Sequence, residues 1–553
     1  MVGSSRRTSA WIALVLALGL VAVSCGGDDE GPQPGATPTS PGGEETTGGE
    51  FSISICEPES LIPQNDNETC GGQVLQSLFT PLVQYDPVTS DPSNVVAADI
   101  STEDQTVWTV TLNEGWTFHD GTPVTASSFV DAWNYSANAA NAEFAGSNNY
   151  FFANIEGYDE LNPAEGTPDA TATLTGLEVV SDTEFTVTLS APFSQFPLTV
   201  GYNAFYPLPE SFYDDPAAFN EAPVGNGPYM MDGAWEHDQF VRVVRYDEYA
   251  GPPGQADAVE FRIYADLDVS YNDVLANNLD IGDVPSAQIE AGRTEFGERF
   301  IESPSSSFSY VGFPLWVEQF QSKELRQAFS LAIDREAITE AIFFGTRTPA
   351  ASVISPVVAG SREDACQFCV FDPALAQEKF QAAGGYEGDL TIWFNNDGGH
   401  EEWIEAMSNQ WSQNLGIPID SIKFESFEFA EYLGLLDQKE AGPVNGPFRL
   451  GWVMDYPSPQ NYLEPLHATG GSSNNTGFSN QEVDDLIAEG NAAPSIDEGI
   501  SSYLAAEDII VEEMPIIPLW FSLNQQVTTE RVENVVIDAF SFIRVPDVRV
   551  VSE

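Results

Sequence analysis

A multidomain α/β architecture is expected from three features of the sequence. The chain has 553 residues, too many for one ordinary hydrophobic core. Period-two apolar runs alternate along it with helical ones, the pattern of strands interleaved with helices. Hydrophobic residues make up 42% of the chain, enough to offset the ordering entropy and to exclude wholesale disorder.

The elements follow in order. Residues 107–112 alternate as a strand and run into the turn Asn113-Glu114-Gly115. Asp120-Gly121-Thr122-Pro123 is turn chemistry: Asp opens it, Gly takes positive φ, and Pro fixes the exit into a helix over 127–136. Strands are expected at 184–189, 240–245 and 258–264. Residues 323–344 read as one helix with Leu325, Phe329, Ala332, Ile333 and Ile338 on one face. Further helices are expected over 373–383 and 480–489, the last opened by Asn480 as N-cap. Residues 515–521 read as a buried strand.

The charge is lopsided, with 85 acidic residues against 19 basic ones. Such a surface repels phosphate backbones, so nucleic acid is excluded as a partner. It reads as a solvated coat that keeps an exported protein soluble.

The N-terminus gives the address. Arg6 and Arg7 precede an apolar run of 13 residues, 11–23. That is short of the ~20 needed to span a bilayer and fits a signal peptide. The run closes on Ala22-Val23-Ser24-Cys25, which resembles the bacterial lipobox. The resemblance implies a lipoprotein signal peptide over 1–24, cleavage before Cys25, and diacylglycerol on the Cys25 sulfur. Acyl chains there would anchor the protein to the outer face of the cell membrane. Residues 25–50 are rich in Gly, Pro, Thr and Glu and read as a flexible tether. No comparable apolar run recurs, so no membrane-spanning helix is expected downstream.

Four cysteines remain after Cys25, an even number in an exported chain, and disulfides are expected. Cys56 and Cys70 close a loop of 15 residues. Cys366 and Cys369 form a C-x-x-C whose surroundings favour a structural loop disulfide over a redox or metal site. Catalytic motifs are largely missing. There is no G-x-S-x-G, no P-loop and no Rossmann fingerprint. His400-Glu401-Glu402-Trp403-Ile404 has Ile404 where a zincin needs its second histidine. His119, His237, His400 and His467 are far apart and read as structural. No metal, no cofactor and no enzymatic activity are expected.

Five blocks carry a resemblance. They are the stretch from Trp108 to Ala126 containing Phe118-His119-Asp120-Gly121-Thr122-Pro123-Val124-Thr125-Ala126, then Pro223-Val224-Gly225-Asn226-Gly227-Pro228-Tyr229, then Asp280-Ile281-Gly282-Asp283. The fourth is Leu325-Arg326-Gln327-Ala328-Phe329-Ser330-Leu331-Ala332-Ile333-Asp334-Arg335, and the fifth Gly451-Trp452-Val453-Met454-Asp455-Tyr456-Pro457-Ser458-Pro459. In this order and spacing they resemble the extracytoplasmic solute-binding proteins, family 5, of oligopeptide and dipeptide ABC importers. From the residues alone most of these blocks carry fold: turns in the first two, scaffold pairs at Arg326 and at Asp334-Arg335.

The resemblance implies a two-lobed, periplasmic-binding-protein-like fold of class II with a hinged interlobe cleft. Lobe I would comprise 51–90, 206–303 and 522–553, with an inserted sub-domain at 91–205, and lobe II 304–521. It implies that Asp455 takes the α-ammonium of a peptide, that Arg449 balances Asp455 or meets a peptide carboxylate, and that Trp452 walls a side-chain pocket. Asn67, Glu68, Thr69 and Tyr310 stand where the family meets its ligand. From the residues alone Asp455 could instead fix the loop 457–459. Gly312 stands where oligopeptide members often carry an acid, and the fold also serves oligosaccharides, nickel complexes, haem and opines. The expected function is that of a monomeric, membrane-anchored receptor that delivers di- or oligopeptides to an ABC permease and its ATPase subunits. A surface sensory or interaction lipoprotein on the same fold is the alternative, and an extracellular hydrolase a remote one.

Overall fold

The computed structural model describes residues 48–163, 166–396 and 399–551. The expected signal peptide 1–24, the lipidation residue Cys25 and the tether as far as residue 47 lie outside the described residues. Among these residues no helix is long and apolar enough to cross a membrane.

One sheet of 11 strands runs through the molecule. Its order is Ile422–Phe427, Leu390–Asn395, Phe448–Trp452, Phe300–Gly312, Ile516–Thr528, Ile281–Asp283, Glu50–Ile55, Ala258–Ile263, Phe240–Arg245 and Tyr229–Met231, with Arg347–Pro349 paired at the side of Ile516–Thr528. Glu50–Ile55 lies between two neighbours and is buried beyond its first residue, as its unbroken apolar-and-serine sequence requires. A second, antiparallel sheet joins Ala97–Thr102, Val107–Leu112, Glu184–Thr188 and Leu177–Ser181. In Val107–Leu112 alternation turns Trp108, Val110 and Leu112 inward. Helix Ala126–Ala137 follows the Asp120 turn and carries Trp133, whose ring meets Phe185 of this sheet edge-on at 5.5 Å.

Two large cores lie along the long sheet. One contains Phe51, Ile53 and Phe261 and continues through Trp133 and Phe185. The other contains Phe308, Phe329, Trp411 and Trp520. The strands Phe300–Gly312 and Ile516–Thr528, 13 residues each, pass between them as an antiparallel pair. Their pairing is interrupted between Pro304 and Phe308. There Ser306 N–H turns away from the ladder and donates to Ala539 O at 2.8 Å. The C-terminal segment thus fills the break at which the two cores meet.

The structure corrects one element. Residues 323–344 form two helices, Lys323–Leu331 and Arg335–Phe343. Asp334 leaves helical geometry, and its side chain caps the second helix by accepting from Ala337 N–H at 3.0 Å. The break turns the Arg335 guanidinium into the core, where it donates to Pro518 O at 2.7 Å and Cys369 O at 2.9 Å. A continuous helix would have satisfied the apolar period but not this buried cation. The strand expected at 515–521 is longer, Ile516–Thr528, because its second half pairs across the break.

Both disulfides, Cys56–Cys70 and Cys366–Cys369, are present. Closing the 15-residue loop at Cys56 restrains the unfolded chain by about 3 kcal/mol. A double Cys56→Ser, Cys70→Ser variant is expected to lower the urea midpoint of unfolding correspondingly. An unchanged midpoint would mean that the loop needs no tie.

Candidate ligand-binding cleft

A cleft of about 1200 Å³, its open mouth included, is lined from four separate stretches of chain. They are 66–90, 201–206 and 453–455, joined by 538–544 from the C-terminal segment.

The first wall is built by the start of helix Thr69–Leu78. Glu68 is its N-cap, and its carboxylate accepts from the N–H groups of Cys70 and Gly71. Gly71 is required by space: a Cβ there would lie 2.2 Å from Asp66 Oδ1. Asp66 is buried and takes a hydrogen bond from Asn203 Nδ2 at 3.0 Å. Burial, with the neighbouring Glu68 adding, pushes its carboxyl up to about 9, so it is protonated and uncharged at neutral pH.

The second wall is the loop after strand Phe448–Trp452. Asn461 organises it: its Oδ1 accepts from Asp455 N–H at 2.9 Å and Trp452 Nε1 at 3.3 Å, and its Nδ2 donates to Asp455 Oδ2 at 2.9 Å. Burial raises the Asp455 carboxyl to about 6, the Asn461 hydrogen bond working the other way. Burial, and then the Asp455 charge, push the hydroxyls of Tyr150 and Tyr202 up.

Aromatic rings line the space between. Tyr85 stacks on Phe540 at 5.4 Å, and Tyr202 packs on Phe151 at 4.4 Å. Asp538 folds the segment that carries Phe540 and Phe542, accepting from both of their N–H groups at 3.0 and 2.9 Å. The lining holds Asp66, Glu68, Asp86, Asp455 and Asp538 against a single cation, Arg544. Chemically the cleft is an acidic, aromatic-walled space. Such a space favours a cationic group that can pair with a partly desolvated carboxylate and stack on rings.

Of the residues singled out in the sequence, Asn67, Glu68, Thr69 and Asp455 meet in this cleft. Arg449, Trp452 and Tyr310 are not in its lining. Arg449 donates to Asn395 Oδ1 at 3.0 Å, and Tyr310 is buried beside Phe308 in the second core. Trp452 reaches the cleft only through Asn461. Sequence reasoning missed Asp66, Tyr85, Tyr202, Tyr206, Phe540, Phe542 and Arg544. Asp66 adjoins the segment that was singled out, whereas the others come from distant stretches without a motif.

Two cores, a shared pair of long strands and a ligand-sized cleft between separate chain segments define a two-lobed solute receptor of the α/β class. The profile described as "Bacterial extracellular solute-binding proteins, family 5 Middle" matches residues 91–474. The chain belongs to that family of extracellular binding proteins. It is similar to the oligopeptide-binding protein OppA of Bacillus subtilis (strain 168), with 23% identity over 95% of this chain and 96% of that one. It is similar also to the dipeptide-binding protein DppE of the same organism, with 25% identity over 87% and 88% of the two chains. The unliganded open form of the periplasmic murein tripeptide-binding protein MppA superposes with a TM-score of 0.77 at 23% identity, over 92% of this chain and 98% of that one. The fold is therefore the two-lobed, periplasmic-binding-protein-like one with an inserted sub-domain.

Proposed function

We propose that this protein is the solute receptor of an ABC importer and that its solute is a peptide. The observation that carries the reading is Asp455. It is a carboxylate in the cleft lining, held on one oxygen by Asn461. A peptide α-ammonium supplies the charge and the donors that this carboxylate lacks. The names of the relatives, which are oligopeptide-, dipeptide- and murein-tripeptide-binding proteins, support the same solute class.

In this reading the lobes are 51–90 with 206–303 and 522–553, and 304–521, with 91–205 inserted in the first. The separate cores around Phe51 and Phe308 support that partition. Peptide bridging the cleft favours the closed form through its differential affinity, and the closed form docks on a permease with its ATPase subunits. The protein binds and releases its solute as a monomer, without bond-making chemistry. Cys25, as the lipidated residue, tethers it to the outer face of the membrane.

A thermal-shift screen tests the solute class, using di- to pentapeptides, oligosaccharides and nickel chelates. A ligand at 100 times its Kd stabilises by about 2.7 kcal/mol. Peptide hits are expected. Sugar or nickel hits with peptides silent would replace the solute and keep the receptor, and silence across the pool would favour a sensory or interaction role.

A further inference from the structure

We propose that Arg544 is the anion-binding residue of the cleft and receives the carboxylate of the bound peptide; the proposal rests on the peptide reading above. Arg544 is the one cationic side chain in the cleft lining. Arg242, Arg245, Arg262, Arg293, Arg362 and Arg531 each pair with a carboxylate. Arg544 has no such pair among the described residues. Arg299 and Arg335 also lack a carboxylate pair among the described residues, but their guanidinium groups donate to backbone carbonyls rather than lining the cleft.

Its partner is instead neutral. With the Gln84 amide turned so that its oxygen faces the guanidinium, that oxygen accepts from both terminal nitrogens of Arg544, at 2.9 and 3.0 Å. The contact aims the guanidinium without neutralising it. The charges of Asp86 and Asp538 reach Arg544, but neither acid forms an ion pair with it among the described residues, and each spends hydrogen bonds on backbone N–H groups. Asp86 caps the turn at Val88 and Thr89 with N–H contacts of 2.9 and 2.8 Å, and Asp538 caps Phe540 and Phe542. The backbone that carries Arg544 is fixed, since its N–H donates to Val536 O at 2.9 Å and its neighbours Ile543 and Val545 are buried in the first core.

A guanidinium positioned by a neutral amide in a partly desolvated cleft is a recognition site for a planar anion, because its fork matches both oxygens of a carboxylate. The site lies on the first core, whereas Asp455 follows a strand of the second. A peptide holding Asp455 by its ammonium and Arg544 by its carboxylate spans both cores, so the doubly charged ligand favours closure over either end alone. Arg449, the arginine that the sequence suggested for a carboxylate, is engaged with Asn395 away from the lining.

The test uses the full chain in detergent and a mixed tripeptide library, once as free acids and once as C-terminal amides, with retained peptides quantified by mass spectrometry. The wild type is expected to retain acids over amides by about tenfold or more. Arg544→Gln should bring that ratio near one, the loss falling mainly on the acids, and Arg544→Lys should restore part of it. Asp455→Asn should weaken both libraries and keep the ratio. An unchanged acid-to-amide preference in a folded Arg544→Gln protein, or a ratio near one in the wild type, overturns the proposal alone. Failure of the wild type to retain either library overturns it together with the peptide reading.

Discussion

Asp455→Asn is expected to weaken peptide affinity by roughly 30- to 1000-fold, the consequence of about 2–4 kcal/mol for removing one member of a desolvated ion pair. Asn keeps the shape and the contact to Asn461 Nδ2 through its own oxygen, so the loop should stay in place. Stability should hold or rise, because the buried carboxyl is unfavourable when no ligand neutralises it. The wild type carries a pH signature of the same residue. Its free carboxyl is raised to about 6, and a bound ammonium lowers it again. The contribution is thus present above pH 6 and is lost as pH falls, by up to about tenfold in Kd per unit. The tyrosines around it titrate far above this window, and among the acids of the cleft lining Asp538 also lies near 6. Calorimetric titrations at pH 5 to 8 should show the fall in the wild type and most of it gone in Asp455→Asn. An Asp455→Asn protein that binds peptides as tightly as the wild type would falsify the assignment of the ammonium site.

Gly225→Ala is expected to destabilise the protein by about 3–5 kcal/mol. The Pro223–Tyr229 turn read as backbone conformation, but neither Gly225 nor Gly227 needs a positive φ. What they need is room. A Cβ on Gly225 would stand 1.9 Å from Leu78 O, and one on Gly227 would stand 2.5 Å from Leu78 C. The end of the helix that begins at the cleft therefore packs directly on this turn. Gly227 N–H donates to Leu78 O at 2.7 Å, and Asn226 holds Thr80 by both backbone groups, at 2.9 and 3.0 Å. His119 of the Asp120 turn completes the contact: its Nδ1 accepts from Gly225 N–H and its Nε2 faces Gly227 O, both at 3.1 Å. Burial lowers its pKa to about 4, which keeps the ring neutral as this pairing requires. Denaturant unfolding of Gly225→Ala should show the loss. A midpoint within error of the wild type would mean that Leu78 can retreat without cost.

Local chemistry was legible in the sequence wherever it repeats along the chain. The strands at Val107, Phe240 and Ala258, the cap at Asn480 and the two cysteine pairs depend on neighbours within a few residues, or on parity in an exported protein. The single helix expected through Asp334 failed because Arg335 answers to carbonyls 34 and 183 residues away, which no local period reports. The site divided in the same way. Asp455 stood within a recognisable block, and the Glu68 segment was singled out by the family resemblance. Arg449 and Tyr310 were implied by the same resemblance, yet they lie on two neighbouring strands and neither is in the cleft lining.

The sequence by itself determined the fold class, the exported character of the chain and residues on both walls of the cleft, because apolar period, charge balance and motif spacing are properties of neighbouring residues. Only the tertiary structure decided which polar groups face one another. Tyr85, Tyr202, Phe540 and Arg544 come together because the two long strands bring the C-terminal segment back across the break at Ser306. A side chain's value as a ligand contact depends on the charges and carbonyls left around it after folding, and for Arg544 the direct hydrogen-bond partner is a neutral amide, that of Gln84.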